Sequence, residues 1–214
     1  MRRKDDEIVD PWHEHGVIPH STYDDAVKFR SFLRRTIALH EDVDECSAST
    51  LVQELASLST TPEPITLRIS SNGGDVAAEL SVIDAIEDAQ RKGCKVIGEV
   101  YGHGMSAAFM ILQACDKRRM GRNAILMVHG ITTWAGGDQK NVAAELGLLE
   151  ELQIRGAQNI ASRCTAAEGS KYTTDEFWLH ILKDNTPIYL FPEQALEWGL
   201  VDEVLYSTED EKKA

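Results

Sequence analysis

Gly102-His103-Gly104-Met105-Ser106-Ala107-Ala108 is the stretch whose reading decides the fold. The run Lys95-Val96-Ile97-Gly98-Glu99-Val100 before it reads as a strand, and the apolar run from Ala107 to Ala114 after it reads as a helix. Ser106 therefore sits at a sharp strand-to-helix turn. The next apolar run, Ala124-Ile125-Leu126-Met127-Val128, is again a strand and delivers His129, 23 residues after Ser106. Upstream, the strand Ile65-Thr66-Leu67-Arg68-Ile69 runs into a second glycine turn, Ser70-Ser71-Asn72-Gly73-Gly74-Asp75. Strands alternating with helices at this spacing predict an α/β fold with a largely parallel sheet and right-handed crossovers. In such sheets sites gather beyond the carboxyl ends of the strands, where both glycine turns and His129 fall.

The rest of the chain extends this pattern. Residues 1–22 are polar, with Pro11, Gly16 and Pro19, and read as an irregular arm. The domain is expected over 23–206. Tyr23 to Arg34 suits an amphipathic helix, Thr36-Ile37-Ala38-Leu39 a strand, Ser47 to Leu58 a helix and Val76 to Gln90 another. A long helix is expected from about Asp138 to Cys164, with Val142, Leu146, Leu149, Leu152 and Ile160 as one buried stripe. Thr174 to Leu182 reads as a helix capped by Thr174. Pro192 opens a short helix stopped by Gly199, Leu200 to Leu205 is a last strand, and 207–214 is a charged tail.

Composition narrows the classes. The 214 residues suffice for one domain with a sizeable core. The net charge of -13 argues against nucleic acid as partner, because phosphate would be repelled. No apolar run approaches the roughly 18 residues of a membrane span, and the basic-then-acidic start lacks the apolar core of a signal peptide. The expected location is the cytoplasm, with no membrane partner. Cys46, Cys94, Cys115 and Cys164 form no CxxC pair and no zinc-ligand cluster, so they read as buried or semi-buried free thiols, with no metal and no cofactor.

A serine hydroxyl is a weak nucleophile until a base and oxyanion donors surround it. Ser106 begins a helix whose N-terminal partial charge favours a developing anion, and the Ala107 N–H is a natural donor to it. His129 is the candidate base, with His103 on the turn itself as its competitor. Each part has a plainer reading. Ser106 could be an ordinary helix cap, His129 a rim residue of the core, and Gly73-Gly74 a simple turn. The joint pattern is that of a serine hydrolase, read here as a peptidase. Met105 and Trp134 are expected to line its first pocket.

In order and spacing these pieces resemble the Clp peptidase (ClpP) family of serine peptidases, including phage-encoded ClpP-like proteins. The similarity runs from about Arg35 to Leu205 and includes Arg35-Thr36-Ile37-Ala38-Leu39, Ser71-Asn72-Gly73-Gly74, Gly102 to Ala108, Met127-Val128-His129 and the stretch Glu193 to Asp202. The resemblance implies a ClpP/crotonase-like ββα superhelix, a Ser-His-Asp triad and homo-oligomeric rings that meet, when stacked, through the long handle helix. It implies Ser106 as nucleophile, His129 as base and then acid, and the Gly74 and Ala107 amides as the oxyanion hole. Two departures stand out. The family's Ser-Pro-Gly-Gly turn is Ser-Asn-Gly-Gly here, and the proline that normally follows the histidine is absent. The family's aspartate falls near Thr186-Pro187, where neither residue is acidic. The nearest acid, Asp184, is taken as the orienting residue. Asn185 is kept as a neutral alternative and Asp175 as a weaker one.

The function implied is a serine endopeptidase, needing no ATP itself, that cuts unfolded or extended polypeptide through an acyl-enzyme. An ATP-dependent unfoldase is a candidate partner. Two other classes stay open: a catalytically silent ring subunit or scaffold, and an acyl-CoA enzyme of the crotonase type.

Overall fold

A computed structural model of the chain describes residues 23–133 and 136–205. The expected arm at 1–22, Trp134 and the tail at 207–214 lie outside the described residues. The elements follow in the order α1 (Tyr23–Leu33), β1 (Thr36–Leu39), α2 (Glu45–Leu58), β2 (Ile65–Ser71), α3 (Val76–Arg91), β3 (Val96–Met105), α4 (Ala107–Ala114), β4 (Lys117–Gly121), β5 (Ile125–Val128), α5 (Gln139–Arg163), α6 (Asp175–Asp184), β6 (Ile188–Leu190), α7 (Pro192–Glu197) and β7 (Glu203–Leu205). The helices begin where side chains can satisfy the first free amides. Asp44 caps α2, Asp75 caps α3, Asp138 caps α5 and Thr174 caps α6.

The sheet is parallel in order β1-β2-β3-β4-β7, and β5 attaches to β3 off this path. The ten-residue β3 is the fork. Its first half, Ile97 to Val100, pairs with β4, while His103 to Met105 pairs with β5. Only β6 runs antiparallel, against β5. The expected α/β fold with a largely parallel sheet is the fold observed. Strands β2 and β3 share one fully enclosed face, formed by Ile65, Leu67, Ile69, Val96 and Val100, while Thr66, Arg68 and Ser70 on the other face of β2 are only partly covered or exposed.

Four features depart from the sequence reading. Strand β4 carries three consecutive basic residues, Lys117, Arg118 and Arg119, and was not expected as a strand. Arg118 is 2% exposed and its guanidinium meets the Asp202 carboxylate at 2.7 Å, with Gln113 at 2.8 Å. The last strand, expected over Leu200 to Leu205, is shortened to Glu203–Leu205, and the acids at its start are structural: beside the Asp202 contact, Glu203 pairs with Lys117 at 2.8 Å and with Arg119 at 3.2 Å. Burial raises the Asp202 carboxyl, but the hydrogen bonds from Arg118 outweigh it and hold the group below its ordinary value. The stripe on α5 is the third departure. Ala157 and Ile160 are buried, whereas Leu146 is 57% exposed, so the amino-terminal half of this helix stands clear of the domain. Finally, Cys46 is exposed; Cys94 and Cys115 are buried, and all four cysteines are free thiols.

Candidate functional site

Three strand ends converge. At the end of β3 the chain turns through Ser106 with φ 53° and ψ -122°, a conformation that L-residues rarely adopt. The turn presents the Ser106 side chain outside the sheet while α4 begins at once behind it, the geometry of a nucleophile elbow. The Ser106 N–H donates to the Met127 carbonyl at 2.9 Å, which locks the turn to β5. The end of β5 in turn brings His129 to the serine: Nε2 lies 3.0 Å from Ser106 Oγ.

The glycine turn after β2 closes over the same place. Gly73 has φ +94°, and a Cβ there would stand 2.6 Å from the Met105 carbonyl and 2.7 Å from Ser106 Cβ. Only glycine lets the two turns approach this closely. Gly74 forms a parallel bridge with Val43, whose N–H donates to the Gly73 carbonyl at 2.8 Å and whose carbonyl accepts from the Asp75 N–H at 2.7 Å. Those bonds flank Gly74, so its own N–H is directed to the opposite side, away from Val43. The Ala107 N–H, first in α4, has no acceptor within its helix. Gly74, Ser106, Ala107 and His129 all line one cavity of about 310 Å³.

The third position differs from the expectation. The oxygen facing His129 Nδ1 belongs to Asn185, whose Oδ1 lies 3.4 Å away. Asp184 is the last residue of α6 and is exposed, with no hydrogen bond to the imidazole. Asn185 is the cap that follows, in the left-handed conformation at φ 55°, and this reversal turns its side chain toward the histidine. Asp175 sits at the far end of the same helix, where its carboxylate accepts from the Glu176 N–H at 3.1 Å. An amide oxygen can only accept, so the Asn185 Oδ1 suits the tautomer with its hydrogen on Nδ1, which leaves Nε2 as the acceptor facing Ser106.

Two supports hold Asn185 in place. Trp178 on α6 is fully buried and its indole N–H donates to the Tyr172 carbonyl at 2.7 Å. Tyr172 stacks on Trp198 at 4.5 Å, and Phe177 meets both Tyr172 and Trp178 edge-on. Gly130, the residue after the histidine, lies directly against the Leu182 carbonyl at the end of α6, so a side chain there would push α6 away.

Neither Met105, expected in the first pocket, nor His103, the competing base, is among the residues that line the cavity. His103 is engaged in the β3–β5 ladder opposite Ile125, and Met105 pairs there with Met127 rather than lining the cavity. The sequence reading missed Glu79. This α3 residue lines the same cavity and is 8% exposed. Burial, and after it the neighbouring Asp75 charge, push its carboxyl up to about 8. An acid on the otherwise apolar inward face of α3, among Ala78, Val82, Ile83 and Ile86, was the available signal. Among the described residues no group of three potential metal ligands comes together, and no helix is long and apolar enough to cross a membrane.

Comparison with known proteins gives the chain its family. The sequence profile of the family described as Clp protease matches residues 21–208. Proteolytic subunit 1 of the ATP-dependent Clp protease of Streptomyces avermitilis is 26% identical over 204 residues, covering 94% of this chain and 89% of the relative. Proteolytic subunit 3 of Streptomyces coelicolor is 24% identical over 207 residues, covering 95% and 90%. The chloroplastic proteolytic subunit 3 of Arabidopsis thaliana is 28% identical over 178 residues, covering 80% of this chain and 53% of the relative. With a match over most of its length, and with the fold to accompany it, the chain belongs to the Clp protease family.

Proposed function

We propose that the chain is an active serine endopeptidase with Ser106 as nucleophile, His129 as general base and acid, and Asn185 as the residue that orients the imidazole. The observation that carries this reading is the 3.0 Å contact between Ser106 Oγ and His129 Nε2 at a strained strand-to-helix turn. In the first step Ser106 Oγ bonds to the scissile carbonyl carbon and its proton passes to His129 Nε2. The carbonyl oxygen takes up the negative charge beside the Gly74 and Ala107 amides. As the C–N bond breaks, His129 returns the proton to the leaving amine. A water then repeats the sequence on the acyl-enzyme and frees Ser106. An extended substrate lies along the Gly73-Gly74 turn as an added strand, read mainly through its backbone.

A silent subunit is the second reading, and the Asn185 position favours it. A neutral amide at 3.4 Å stabilises an imidazolium less than a carboxylate would. Hydrolysis of a dye-labelled, unfolded casein by wild type and by Ser106→Ala separates the two. Active wild type with an inert variant supports the peptidase. Equal rates in both, or none from a correctly assembled wild type, overturn it.

The relatives are named as subunits of an ATP-dependent protease. By that kinship this chain assembles into rings and receives substrate from an ATP-driven unfoldase. The exposed Leu146 and Leu148 on the free half of α5 support ring-to-ring contact through that helix.

A further inference from the structure

Glu79 has no part in the steps above, yet it shares their cavity. Among the described residues its carboxylate has neither a hydrogen bond nor an ion pair, although the residue is 92% buried by its 8% exposure. Among the described residues no fully enclosed side-chain oxygen lacks a partner, so the Glu79 oxygens open onto the cavity rather than into the core. The charged groups around it offer no counter-ion. On its own helix stand Asp75, Asp84 and Glu87. Across the cavity Arg155 of α5 is held by Glu151 at 2.8 Å, and His129 is engaged with Ser106. A buried acid left this way is costly when charged, and it keeps its proton up to about pH 8. Leu80, Ile83, Phe109 and Met110 supply the apolar part of the lining, beside polar Gln153 and Asn159. A long aliphatic stem ending in a cation satisfies both features at once, because the incoming positive charge favours the carboxylate and the Glu79 proton leaves to solvent as the pair forms.

We infer that this cavity is the specificity pocket of the site and that Glu79 selects substrates with lysine or arginine on the acyl side of the scissile bond. The inference rests on the peptidase reading. It differs from a purely apolar pocket in one respect that can be measured. Two fluorogenic peptides identical except for Lys or Leu before the reporter amide are compared on wild type and on Glu79→Gln. A charge-assisted contact predicts that wild type prefers Lys by at least about tenfold in kcat/KM, and that the preference falls to about one or below in the variant. Preference for Leu in wild type, or a Lys preference that the variant keeps, overturns the assignment of Glu79 while leaving the peptidase intact. Hydrolysis of neither peptide by wild type overturns the peptidase reading itself and takes this inference with it. Should the variant fail to assemble, the wild-type ratio decides alone.

Discussion

Glu79 also makes the stability of the fold depend on pH in a direction opposite to that of a salt-bridged acid. Its carboxyl titrates at 4.5 ordinarily and at about 8 in the folded chain. Below 4.5 both states hold the proton and the group is neutral in each. Between 4.5 and about 8 the unfolded chain releases the proton while the folded chain keeps it, so stability falls as pH rises. At about 1.4 kcal/mol per pH unit, the whole interval removes on the order of 5 kcal/mol. Glu79→Gln keeps the shape and the hydrogen-bonding capacity but has no proton to lose. Denaturant midpoints of both proteins, taken from about pH 5 to about pH 9, isolate this one group, since every other titration is common to both. The stability gap between variant and wild type should widen with pH and level off near pH 8. Parallel curves would refute the reasoning, because they would mean that Glu79 titrates alike in the folded and unfolded chains.

Arg118 tests a different kind of burial. Arg118→Ala leaves Asp202 and Gln113 without their partner and should cost about 3–5 kcal/mol, read as a lower urea midpoint; a loss under about 1 kcal/mol would contradict the structural role given to this pair. At the site, Asn185→Ala should lower kcat by about tenfold through loss of one orienting hydrogen bond, whereas Asp184→Ala should leave peptide hydrolysis within about twofold of wild type. The reverse order would return the orienting role to Asp184.

Much of this architecture was legible because its signals are local. The strand that delivers His129, the turn at Ser106 and the helix from Ala107 to Ala114 each announce themselves within a few residues. Strand β4 was not legible, because its buried Arg118 is made tolerable by Asp202, 84 residues further along the chain. The sequence left Asp184 and Asn185 open for the residue beside the imidazole, for a geometric reason. Sequence chemistry points to the acid, but the left-handed cap at the end of α6 turns the next residue, Asn185, toward the ring. The segment Asn185-Thr186-Pro187 carried a clue, since asparagine tolerates that conformation and proline stops the helix. Likewise Leu146 falls on a helical stripe that sequence periodicity assigns to the core, yet no other part of the described chain covers it. Periodicity reports that a face is apolar and leaves open what covers it.

The central claim is that Ser106 is an activated nucleophile. Treatment with a fluorophosphonate, read by intact mass on wild type, Ser106→Ala and His129→Ala, tests it without knowledge of the substrate. The account predicts one adduct on wild type, mapped to Ser106, none on Ser106→Ala, and a rate lowered by about a hundredfold or more on His129→Ala. An unlabelled wild type that is folded and assembled, or a label that persists in Ser106→Ala, would contradict it.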